Sequence, residues 1–119
     1  MADKRRQLPL PPAAENDPNA TEMARTWIAE NGLHCVLNVG MWHKDSRHDE
    51  RHCWGMMLAD MARHVANALE EVTGLDRRES VRMIAEAFNT EIARPTSEHR
   101  GQWPGSKDPV ADFWSDSDQ

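Results

Sequence analysis

The chain has 119 residues, enough for one domain, with 20 acidic side chains, 14 basic ones and a net charge of −6. That balance argues against general nucleic-acid binding, which needs a basic face to meet phosphates. Two cysteines are too few for a disulfide framework, and no apolar run approaches the ~20 residues needed to cross a bilayer, so a cytoplasmic protein with free thiols and no membrane partner is expected.

Residues 1–20 (MADKRRQLPLPPAAENDPNA) hold four prolines and few side chains that could pack, the composition of a disordered tail. Lys4, Arg5 and Arg6 precede QLPLPP rather than a long apolar run, which does not read as a secretory signal. Residues 21–95 are the foldable part, a single α+β domain. A core that small buries only about 60% of its unfolded-chain surface, so self-association is the simplest remaining source of stability.

Two strands are expected at residues 22–30 and 33–42, flanking Asn31-Gly32, a strong signal for a type I′ hairpin turn. That turn would set Ile28 opposite Cys35 and Trp27 opposite Val36. Alternation gathers Ala24, Thr26, Ile28, Leu33, Cys35, Leu37, Val39 and Met41 on the face meant for the core. The outer face then carries Trp27, His34, Val36 and Trp42, an aromatic-rich surface of the kind that favours interfaces.

A helix is expected over residues 50–73, capped by Asp49 and ended by Gly74. Trp54, Met57, Leu58, Met61, Val65, Ala68, Leu69 and Val72 form its apolar stripe. A second stripe of small residues, Gly55, Ala59, Ala62 and Ala66, lies about 110° round the helix, where a neighbouring element could approach closely. A further helix over 77–93 starts at Asp76, whose pairing with Glu79 resembles a capping box, and stops before Pro95. The short connection makes the two helices antiparallel, so the order is a β-hairpin followed by a helical hairpin, ββαα. Residues 96–119, rich in Gly, Pro, Ser and Asp, read as an acidic disordered tail of charge −3. Phe113 and Trp114 within it are the aromatic anchors a docking peptide would use, although a merely solubilising tail is the plainer account.

Chemistry-bearing residues concentrate between Trp42 and Trp54 (WHKDSRHDERHCW). His43, His48, His52 and Cys53 have the donor types of a zinc or copper site, but their spacing matches no finger or metalloenzyme pattern. Cys53, Asp60 and His64 lie along one flank of the long helix, where Asp60 could orient the imidazole four residues on. No oxyanion or substrate-binding motif accompanies them, and a reactive thiol needs an electropositive setting. A strand-to-helix connection and a helix-flank ion pair account for both groups without chemistry. No cofactor motif is present in the sequence, and Trp42 and Trp54 are expected on separate surfaces, the outer sheet face and the core stripe.

The run EMARTWIAENGLHCVLNVGMW, then DERHCWGMMLADMARHVANAL, then a second amphipathic helix ending near ARPTSE, resembles a small bacterial domain family of unknown function over residues 21–98. Its most specific piece is WGMMLADMARHVANAL, Trp54 to Leu69. The resemblance implies a small α+β domain and carries over no activity. A non-catalytic homodimeric accessory or protein-interaction module is therefore the expected function, with Trp27, Val36, Trp42, Ala59, Ala62 and Ala66 as the expected interface. A small metal-binding or hydrolytic protein using residues 43–64 is the alternative.

Overall fold

The computed structural model describes residues 5–44, 47–97 and 99–106. In chain order it contains a one-turn helix α1 (Pro12–Asn16), strands β1 (Ala24–Ala29) and β2 (Gly32–Leu37), helices α2 (Glu50–Thr73) and α3 (Arg77–Ala93), and strand β3 (His99–Gln102). The expected β-hairpin and helical hairpin are both present, within an α+β chain.

The hairpin turn sits one residue earlier than Asn31-Gly32. Glu30 and Asn31 occupy it, with φ of 50° and 62°, the left-handed pair that a type I′ turn demands. Ile28 therefore opposes Leu33 and Trp27 opposes His34. The open end of the hairpin suits this register: the Asn38 N–H donates to the Met23 carbonyl at 2.9 Å, and its buried carboxamide lies near the sulfurs of Met23 and Met41. A change of two in the pairing sum preserves parity, so the two faces keep their expected composition through Leu37. Beyond Leu37 the second strand ends, and Gly40 at φ 103° turns the chain away. Val39, Met41 and Trp42 thus leave the sheet instead of extending it.

Both helices begin and end at the expected residues. Asp49 caps α2 by accepting from the Arg51 N–H at 3.0 Å, and Gly74, at φ 81°, donates its N–H to Glu70 O at 2.9 Å. Asp76 caps α3 through the Glu79 N–H at 2.9 Å. The Glu79 carboxylate turns to Arg82 instead, so the box is closed on one side.

Two stretches expected to be tail carry structure. Within residues 1–20 lies α1, followed by a turn in which Asp17 accepts from the Asn19 N–H at 2.9 Å. Within residues 96–119, β3 pairs parallel with β2, from Leu33–His99 to Val36–Gln102. The sheet order is β1-β2-β3, and the whole helical hairpin is the crossover between two parallel strands. Gly101 permits this pairing, since a Cβ there would come within 2.6 Å of the Cys35 carbonyl oxygen. Phe113 and Trp114 lie outside the described residues.

Packing is the unexpected feature. Among the described residues, strands pack with strands and α2 with α3, and neither helix comes close to a strand. Among the described residues Ala66 is the one buried apolar side chain, at 0% exposure, and no large side chain is fully buried. The stripe intended for the core is open: Leu58, Met61 and Val65 are 42%, 47% and 49% exposed, and Val72 is 82% exposed. On the sheet, Ile28 is 86% exposed.

Candidate functional site

The connection between β2 and α2 is organised by Glu50, the first residue of the helix. Its carboxylate accepts from the Gly40 N–H at 2.7 Å, the His43 N–H at 2.9 Å and the Trp54 indole N–H at 3.1 Å. These donors, led by the Gly40 amide, hold its carboxyl below the usual Glu range, because each bond favours the charged form. The indole it fixes meets a second one: Trp42 and Trp54 stand edge to face, ring centroids 6.0 Å apart at 80°. The two tryptophans therefore share one surface, not two. The expectation failed because Trp42 left the sheet when β2 ended at Leu37.

Glu50 was missed in the sequence. The available signal was an acid in the first helical turn with Trp54 four residues on, a pairing that puts both on one face. Next to it, Asp49 is held at about 2 by hydrogen bonds from the Arg51 guanidinium and backbone N–H. That pair is exposed, with 91% and 52% of the two side chains in water.

The candidate metal donors divide between this connection, with His43 and His48, and the first turn of α2, with His52 and Cys53. His43, His48 and His52 are exposed, and Cys53 is half-buried with a free thiol. Among the described residues no three His, Cys, Asp or Glu side chains gather closely enough to hold a metal ion. Of the helix-flank residues, Asp60 approaches Arg63, at 3.9 Å, with both side chains mostly in water. His64 is exposed beside them.

The interface candidates divide in the same way. Ala66 is wholly enclosed and Ala62 half-buried, on α2, which packs against α3, while Ala59 is exposed. Trp27 and Val36 are half-buried on the sheet. They border an open groove of about 540 Å³ with Arg25, His34 and Gln102. A second groove, about 720 Å³, runs between residues 5–11 and β1. Cys35, half-buried beside the first groove, has its thiol pushed up from the ordinary cysteine value by that partial burial. No helix among the described residues is long and apolar enough to cross a membrane.

No curated protein matches the chain. A solved structure from the photosynthetic bacterium Rhodopseudomonas palustrus, provisionally named a pyruvate dehydrogenase, is similar at 28% identity and a TM-score of 0.60. The likeness covers 82% of this chain and 93% of that one. The family model described as domain of unknown function DUF5076 matches residues 7–96, which brings in the N-terminal segment and both hairpins. The chain belongs to this DUF5076 family of unknown function.

Proposed function

We propose that the protein is a non-catalytic homodimeric accessory module, acting in the cytoplasm through protein–protein contacts. One observation carries the reading: the apolar face of the helical hairpin stands open to water, while Ala66 is the one buried apolar side chain among the described residues. Contiguous apolar surface of this kind marks an association site. The polar clusters offer less, since among the described residues no three His, Cys, Asp or Glu side chains gather closely enough for a metal ion, and the Glu50 carboxylate is occupied with holding the backbone.

Light scattering on the eluting protein tests this directly. The expected mass is twice 13.6 kDa, and a clean 13.6 kDa species at tens of micromolar overturns the dimer. The provisional name of the Rhodopseudomonas structure supplies the catalytic control. Turnover of pyruvate by the purified chain, lost on changing its own residues, would overturn the non-catalytic half of the reading.

A further inference from the structure

We infer that the second copy completes the fold by exchange: the far half of each helical hairpin lies on the sheet of the partner. This rests on the homodimer reading and specifies its geometry. The faces that meet are Val65 and Val72 of one chain and Ile28, Leu33 and Leu37 of the other.

The argument starts from layers. A sheet with an apolar face is stable only when another layer covers it, and in an α+β chain the helices are that layer. Here the helices are present and amphipathic, yet they do not lie on their own sheet. Where they leave the sheet, Glu50 accepts from the Gly40 and His43 N–H groups, Trp42 meets Trp54 edge to face, and the Asn38 N–H donates to Met23 O.

Dimensions point the same way. Helix α2, with 24 residues, is about 36 Å long, whereas the six-residue strands span about 20 Å. Even a folded-back hairpin would overhang its own sheet. Two helices about 10 Å apart present a face of roughly 700 Å², and the sheet adds roughly 300 Å². A standard interface takes about 800 Å² from each partner, so the two open faces together suffice for a stable dimer.

A two-fold exchange covers both faces at once. The half of the hairpin near the connection, with Leu58, Met61, Phe88 and Ile92, meets its counterpart across the axis. The half near Gly74 reaches the partner's sheet. Pairing the helices alone would leave Ile28, 86% exposed, in water on both chains. A second copy is favoured over an unrelated partner because a fold whose described residues bury a single apolar side chain needs its cover wherever it is made, and another copy of itself is always there.

The test is an isotope-filtered NMR experiment on full-length chain, mixing labelled and unlabelled copies after joint refolding. Cross-peaks between chains from the Val65 or Val72 methyls to those of Ile28, Leu33 or Leu37 are expected. Inter-chain peaks confined to Leu58, Met61, Val65 and Ile92 would overturn the exchange while leaving the homodimer standing. Sheet-to-helix peaks found only within one chain would overturn it too. A monomer by light scattering would overturn both readings together.

Discussion

Trp54 donates its indole N–H to Glu50 at 3.1 Å and receives Trp42 against its ring at a centroid distance of 6.0 Å. One side chain thus joins a polar clamp to an aromatic pair. Edge-to-face pairs contribute about 1 kcal/mol beyond the area they bury. A double-mutant cycle of Trp42→Ala and Trp54→Ala should return a coupling of about that size in chemical denaturation at fixed protein concentration. A coupling near zero would mean that the rings pack independently in solution.

The acid limb of the stability curve should report Glu50 and Asp49. Both folded-state values lie below the ordinary ones, Asp49 at about 2. Between the unfolded and folded values the unfolded chain binds more protons, so stability rises with pH in that window. The contribution is complete above about pH 5 and disappears as pH falls toward 2. Glu50→Gln should flatten this limb with little dependence on salt. Asp49→Asn should flatten it less as salt rises, because the exposed Arg51 pair is screened.

Gly101→Ala should unpair β3. The added methyl meets the Cys35 carbonyl at 2.6 Å, and backbone has little room to yield. A cost of about 1–3 kcal/mol follows from overpacking of this kind. Faster amide exchange at residues 33–36, with α2 and α3 unchanged, is the expected reading. Uniform protection would show that the strands accommodate the methyl.

The bend between the helices should tolerate substitution poorly at two positions. Gly74→Ala places a side chain at φ 81°, a left-handed site costing about 1 kcal/mol. Asp76→Ala removes the acceptor for the Glu79 N–H and should also cost about 1 kcal/mol. Thermal unfolding of the two single variants checks both values, and an unchanged midpoint in either would contradict the cap described for that position.

Both helices were legible because their signals are local. Asp49, Gly74 and Asp76 mark ends within a few residues, and the apolar stripes repeat along one face. The hairpin was legible in its faces but not in its turn, since Asn31 serves either position of a left-handed pair and the choice lay seven residues away at Asn38. Strand β3 was not legible: His99–Gln102 is short, polar and glycine-bearing, and its partner is distant in the sequence. Glu50 was hidden for a similar reason, because Gly40 and His43 reach it only after the connection has curled. The open helical face was the least readable feature. An apolar stripe looks the same in sequence whether its own chain or another covers it.

The parallel pairing of β3 also dictates an order of events. The β1–β2 hairpin closes over a two-residue loop and α2–α3 forms from neighbours, but β3 can reach β2 only after everything between Leu37 and His99 has been made and compacted. Long loops close slowly and non-local strands pair late. During synthesis the edge of β2 that later receives Gly101 is therefore the last backbone to find its partner. That interval, more than any weakness of the finished sheet, is when the growing chain is most open to pairing with the wrong strand.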